Sequence, residues 1–267
     1  MKKTCVSVIF AIFVMFIGLT YLNFLITSQV DAELYNRIVT SDQFTQMDDM
    51  IVFVETTTKY LVGEDKVSVE KGRGIGLKLN NNHFLFLNHV VKVEPFITIK
   101  SQFGHIRQPA TILEYNMKIN DREVVTIGSE YDIAVLKYKN SNINHNINIP
   151  VANMSEIEIG TVVYVTGFST DLGDKNFKVG NISNLLDSHE HLKFNDNADY
   201  YQKFICLNIP IYPGDSGSIL FVLNKQTKKM EIAGIIGLKG KDNEALAYRI
   251  DDIMESVRKI INGENNE

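Results

Sequence analysis

The stretch from Ile211 to Leu220 reads IYPGDSGSIL. It holds the hydroxyl of Ser216 between Gly214-Asp215 and Gly217-Ser218, with apolar residues on both flanks. Glycines permit a tight turn that exposes such a hydroxyl and aims backbone N–H groups beside it, as an acyl-transfer nucleophile requires. Many β-turns without chemistry look the same, so the serine has to find partners. A serine hydroxyl is a weak nucleophile until a base takes its proton and a third group orients that base.

Six histidines offer themselves as the base. His105, His145, His189 and His191 sit in polar, loop-like surroundings, and His83 opens the apolar run HFLFL. His89, in FLFLNHVVKV, comes just after that run, a placement that holds an imidazole at the end of a strand. A structural histidine is the plainer use of such a position. For the third member, Asp132 in SEYDIAVLKYK opens a strongly apolar strand, where a carboxylate stays dry and directional. A turn aspartate before a strand is its plainer use, and Asp121 in NDREV has that character.

LNHVV, YDIAVLKY and GDSGS, in the chain order His, Asp, Ser, resemble the three signature segments of chymotrypsin-like serine proteases. Subtilisins and α/β-hydrolases place the same groups in other orders. Longer segments resemble the bacterial HtrA-type branch. GRGIGLKLNNNHFLFLNHVV is similar to the glycine-containing hairpin that leads into its histidine. SEIEIGTVVYVTGF is similar to the opening of its second barrel, and AGIIGLKGKDNEALAYRI to its closing strands. The resemblance covers roughly residues 47–262, nearly all of the chain beyond its apolar start. HtrA-type enzymes usually carry Asn before the serine and two glycines after it, whereas this chain has Asp215 and Gly217-Ser218. The sequence runs to Glu267, and no PDZ domain is expected in it.

The resemblance implies a serine endopeptidase with His89 as general base, Asp132 orienting it and Ser216 as nucleophile. It implies an oxyanion hole from the backbone N–H groups of Gly214 and Ser216. It brings Pro210, Ile211 and Tyr212 towards the base of the P1 pocket, and Ile236 and Leu238 towards its walls. These positions hold no carboxylate for Lys or Arg and no histidine of the kind expected for Glu, so apolar P1 residues are expected. The same residues also suit the core of a strand. Arg37-Ile38-Val39 looks like the activation junction of zymogen-type relatives, whose freed Ile ammonium pairs with the aspartate beside the nucleophile, here Asp215. Thr40 and Ser41 replace the usual glycines there, and the alternative is that Asp215 bonds to nearby donors and the enzyme is active as made.

The elements that must position these groups read as short β-like runs. The first series is MIVFVETTTKYL, GIGLKL, HFLFL, PFITIK, ATILEY, EVVTI and DIAVLKY. After the asparagine-rich connector KNSNINHNINIP come TVVYVTGF, FKVGNIS, KFICLNI, SILFVL, EIAGIIGL and ALAYRI. Many short strands separated by turn residues point to all-β sandwiches or barrels and away from βαβ folds. The family resemblance narrows this to two six-stranded antiparallel barrels. Barrel one is expected over about 47–145, barrel two over about 150–250, with a C-terminal helix over about 251–262. In that helix Ile253, Met254, Val257, Ile260 and Ile261 form an apolar stripe, with Asp251 or Asp252 to cap it and Gly263 to stop it.

The chain has 267 residues, 45% hydrophobic and 22% charged, a globular composition. Its net charge is −5 and it has no dense Lys/Arg cluster, which argues against a nucleic-acid partner. No spacing of His, Cys, Asp and Glu suits a metal, and no cofactor is expected. Cys5 lies in the N-terminal apolar segment, so Cys206 in KFICLNIP reads as a buried free thiol. Lys2 and Lys3 precede an uncharged run from Thr4 to Val30, long enough to span a bilayer at about 20 residues. Residues 1–27 are expected to be a signal anchor or a signal peptide cleaved near Val30 to Ala32, and the polar residues 28–46 a stalk or short helix. Charges before and after the run place the folded part outside the cytoplasm. Three classes stay open: an anchored, exported endopeptidase acting on protein or peptide substrates; a protease fold kept as a binding module with a latent or inactive site; and an esterase or acyl transferase on the same groups.

Overall fold

The structure is a computed structural model that describes residues 45, 47–62, 66–92, 96–101, 104–109, 111–130, 132–168, 175–186, 203–212, 214–239 and 244–263. The apolar run 4–30 and the Arg37-Ile38-Val39 junction lie outside them, as do His189 and His191. Contacts divide the chain into Met1–Gln46 and Met47–Glu267, and the elements below belong to the second unit. Among the described residues no helix is long and apolar enough to cross a membrane.

The first closed barrel runs in the order β1 (Ile51–Val62), β2 (Lys66–Lys78), β3 (His83–Leu87), β8 (Ile133–Tyr138), β7 (Arg122–Glu130) and β6 (Ile112–Ile119). Between β3 and β6 come a single helical turn, α1 (Asn88–Val91), and a separate two-stranded sheet of β4 (Phe96–Ser101) and β5 (Gly104–Pro109). The second closed barrel runs β10 (Lys175–Leu186), β11 (Phe204–Leu207), β14 (Ala245–Arg249), β13 (Met230–Lys239), β12 (Ile219–Leu223) and β9 (Val162–Phe168). Every pairing in both barrels is antiparallel. Closure leaves neither sheet an unpaired edge strand.

The strand period of two explains the cores. In β1 the alternate residues Val52, Val54, Thr56 and Thr58 are buried. Val52 and Val54 join Phe84, Phe86, Ile119, Ala134 and Leu136 inside the first barrel. In the second barrel Val163 and Val165 meet Leu220, Val222, Ala245 and Ala247. β3 is buried along its whole length, including Leu85 and Leu87 on the opposite face from Phe84 and Phe86. Cys206 is a buried free thiol in β11, pushed up to about 11 mainly by burial and then by the nearby Glu244.

The helix α2 (Ile250–Asn262) buries Ile250, Ile253, Met254, Val257, Ile260 and Ile261. It follows the second barrel, yet it packs against β7 and β8 of the first as well as β13 and β14. Gly263 ends it in the left-handed conformation, with φ of 75°. The start differs from expectation: the N-cap is Arg249, no side chain caps it, and both aspartates fall in the first turn. There Asp251 pairs with Arg249 at 2.6 Å and Asp252 accepts the Lys203 N–H at 3.2 Å. Their charges complement the positive end of the helix without capping it.

Candidate active site

His89 stands on the single turn α1, which continues from β3. That turn is held on three sides. The Asn88 N–H donates to the Asp132 carbonyl at 2.7 Å. The Tyr115 hydroxyl donates to the Val91 carbonyl, and burial pushes Tyr115 up to about 12. On the third side Val90 lies against Gly74 of β2 so closely that a β-carbon there would come within 2.0 Å of Val90 Cγ1.

Asp132 precedes β8, whose residues pair with β3 along its full length, so carboxylate and imidazole leave adjacent strands at the same end. One carboxylate oxygen, Oδ1, accepts the backbone N–H of His89 at 3.0 Å. The other, Oδ2, lies 2.7 Å from His89 Nδ1. With Asp132 ionised, this contact favours the tautomer with the proton on Nδ1 and a lone pair on Nε2. A third donor comes from the second barrel: Tyr248 Oη of β14 donates to Asp132 Oδ2 at 3.1 Å. The carboxylate side chain is 17% exposed and the imidazole 45%, so the ring is reachable from solvent while its partner is sheltered.

The loop bearing Ser216 runs into β12. Gly214 has φ of 100° and Gly217 φ of 89°. The Gly217 N–H donates to the Ile236 carbonyl at 2.8 Å, the Ile236 N–H to the Ser218 carbonyl at 2.8 Å, and the Ser218 N–H to the Asp215 carbonyl at 3.0 Å. The loop also meets the first barrel: a β-carbon on Gly217 would stand 2.3 Å from the Ile75 carbonyl oxygen of β2. Ser216 is half-buried, Gly214 is exposed, and Asp215 between them is buried. Neither the Gly214 nor the Ser216 backbone N–H donates to a described residue.

Among the residues expected near a P1 pocket, Pro210 and Tyr212 are exposed, while Ile211 and Leu238 are half-buried. Ile211 packs against the barrel-two core, and the side chain of Ile236 belongs to that core. The Ile236 backbone is bonded to the Ser216 loop through the Gly217 N–H and the Ser218 carbonyl. His83, the other histidine on an apolar strand, is buried and bonded to Asn80 Oδ1 at 3.1 Å. Its pKa is lowered by burial first, then by Lys137 and His145. A recess lined by Asp48, Lys78, Asn81, Arg122 and Tyr138 contains none of His89, Asp132 or Ser216. Among the described residues no group of three or more His, Cys, Asp or Glu is arranged for a metal.

Two residues that the sequence reading passed over bear on this site, Tyr248 and Lys178. In ALAYRI and FKVGNIS they look like ordinary strand residues. No local pattern could have singled them out, because their partners lie 116 and 37 positions away.

Residues 76–228 match the family of trypsin-like peptidase domains, and the chain belongs to that family. Solved structures of similar fold include an HtrA-type protease, AlgW, with a decapeptide, at 17% identity and a TM-score of 0.55. That match covers 80% of this chain and 64% of the other, so this chain spans under two thirds of it. AlgW with a tripeptide matches at 20% identity and a TM-score of 0.51, over 79% and 60% of the two chains. Rv3671c from M. tuberculosis H37Rv, in an inactive form, matches at 13% identity and a TM-score of 0.54, over 86% and 94%. At these identities the likeness is one of fold. No curated protein matches the sequence.

Proposed function

We propose that this chain is an exported serine endopeptidase that cleaves peptide bonds with His89, Asp132 and Ser216. The observation that carries the reading is the doubly bonded pair of Asp132 with His89, ring and backbone together, on a trypsin-like peptidase fold. His89 Nε2 takes the Ser216 proton as Oγ attacks the substrate carbonyl. The Gly214 and Ser216 N–H groups receive the oxyanion. The tetrahedral intermediate then collapses as His89 returns the proton to the leaving amine, and water repeats the sequence to release the acyl group. No hydrogen bond joins the Ser216 side chain to a described residue. Such bonds are often long in unliganded hydrolases and tighten with substrate.

In this reading residues 47–262 are the protease domain, 1–27 the anchor or signal peptide, and 28–46 the stalk. The domain acts on the extracytoplasmic side. Exposed Tyr212 with half-buried Ile211 and Leu238 supports small to medium apolar P1 residues, with modest selectivity among them because a methylene is worth only about 1–3 kcal/mol.

The test is labelling by a fluorophosphonate, together with peptide-library hydrolysis. The native chain labels at one serine and cleaves after apolar residues. Ser216→Ala and His89→Ala lose both while staying folded, and the double variant is no slower than the worse single one. A native chain that folds, fails to label and cleaves nothing would instead be a binding module with an inactive site.

A further inference from the structure

Asp215, beside the nucleophile, carries a charge into the interior: its side chain is 3% exposed. A carboxylate so placed has to be paired and hydrogen-bonded, or it takes up a proton or leaves. Its partner is Lys178. The ammonium donates to Asp215 Oδ2, reaches the Pro210 carbonyl at 3.3 Å, and lies 5.1 Å from the centroid of the Tyr212 ring. The same Oδ2 accepts the Tyr212 N–H at 2.7 Å, and the Asp215 N–H returns a bond to the Tyr212 carbonyl at 3.0 Å. One cation thus gathers residues 210, 212 and 215, the points on either side of Gly214.

Lys178 itself belongs to a barrel strand and not to that loop. It sits within β10, opposite Val165 of β9 in the closed barrel wall. Its side chain is 18% exposed. A fixed cation on a barrel strand and a buried anion on the loop define where the loop can rest. Gly214, at φ of 100°, takes its peptide orientation from ends pinned in this way.

We propose that Lys178 is the positioning residue of the oxyanion-hole loop, its ammonium holding Asp215 and so aiming the Gly214 N–H. The proposal rests on the protease reading. Without the ammonium, Asp215 keeps one backbone donor and an uncompensated charge, and the loop relaxes as that charge seeks water or a proton.

The test compares the full-length chain with Lys178→Met, Lys178→Arg and the double variant Lys178→Met/Asp215→Asn. Two quantities are read: kcat and KM on a cleaved peptide, and hydrogen exchange at the amides of residues 215, 217 and 218. Lys178→Met should lose about 10²–10³ in kcat, the loss expected for one oxyanion donor, with a smaller change in KM. Exchange at residues 215 and 218 should quicken at least about tenfold, because the bonds to the Tyr212 and Asp215 carbonyls open more often. Lys178→Arg should keep both quantities near native. The double variant, with no buried charge left alone, should recover about tenfold or more over Lys178→Met and stay below native. If Lys178→Met does not fold, the double variant decides: full native kcat and native exchange in it overturn the proposal. Native kcat and exchange in Lys178→Met overturn it directly. If the native chain itself neither cleaves nor labels, the protease reading fails, and exchange alone still decides whether Lys178 orders the loop.

Discussion

At the scale of single residues, the proposed triad depends on which nitrogen of His89 carries the proton. Asp132 Oδ2 receives His89 Nδ1 at 2.7 Å and Tyr248 Oη at 3.1 Å, while Oδ1 is taken by a backbone N–H. Asp132→Asn puts an amide N–H against the imidazole and favours the wrong tautomer, so kcat should fall about 10⁴-fold with the fold intact. Tyr248→Phe keeps the ring, which packs at 5.3 Å from that of Phe204, and removes only the hydroxyl. The expected loss is about tenfold in kcat with little change in KM, equivalent to about 1.4 kcal/mol. Steady-state kinetics on one peptide checks both. The pairing of Asp132 with His89 was legible because each sits in a stretch whose own pattern marks it, the start of one apolar strand and the end of another; Ser216 stood out by its glycine-framed turn, and its part with them belongs to the proposal. Tyr248 and Lys178 were not legible, because a strand residue takes its role from whatever folds against it.

At the scale of elements, the turn bearing Ser216 depends on Gly217 for two separable reasons. Its φ of 89° disfavours any β-carbon, and the Ile75 carbonyl stands where that carbon would go. Gly160 shares the first constraint, with φ of 87°, but has nothing within 4 Å of a β-carbon. Gly160→Ala should therefore cost about 1–2 kcal/mol from backbone strain alone. Gly217→Ala should cost a further ~1–3 kcal/mol from overpacking and lose activity as well. Urea unfolding of the two variants measures the difference, and equal losses would remove the role assigned to Ile75. β3 supplies a second test. His83 is buried and its pKa lies below the ordinary 6.5, so the unfolded chain binds its proton more readily than the folded one. Stability is then full above about pH 6.5 and declines as pH falls from there towards the folded value. His83→Leu should flatten that acid-side decline in melting temperature; an unchanged slope would contradict it. Element ends were harder to read than element cores. β2 begins at Lys66, ahead of its apolar part, because β1 pairs with it from Val62↔Lys66 onward. β5 carries no strong alternation in GHIRQP and was not expected; β4 pairs with it throughout.

At the scale of the whole domain, the proposed site draws on both barrels. His89 and Asp132 come from the first, Ser216 and Tyr248 from the second, and Gly217 lies against Ile75 across the divide. The helix α2 adds a further tie, with Ile260 against Gly128 of β7 and Lys259 at 3.9 Å from Glu130. The domain pattern of the sequence foretold two barrels from strand count and family likeness, but the ties between them involve residues with no distinguishing neighbours. These ties bear on activation. A cleavage after Arg37 would offer the Ile38 ammonium to Asp215, but Asp215 Oδ2 already accepts from Lys178 and from the Tyr212 N–H. Bringing in a second ammonium would require desolvating it while displacing or crowding the first, and the gain from an already paired carboxylate is small. Chains begun at Ile38 should therefore match chains carrying several upstream residues in kcat/KM. The Lys178→Met background supplies the contrast, since there the carboxylate lacks its cation and a free Ile38 ammonium has a charge to meet. A rise of more than about tenfold on freeing Ile38 in the native background would show that Lys178 does not suffice and that processing switches the enzyme on. Equal rates in the native background, with a rise confined to Lys178→Met, would place the cation requirement at Asp215 and its native source in β10.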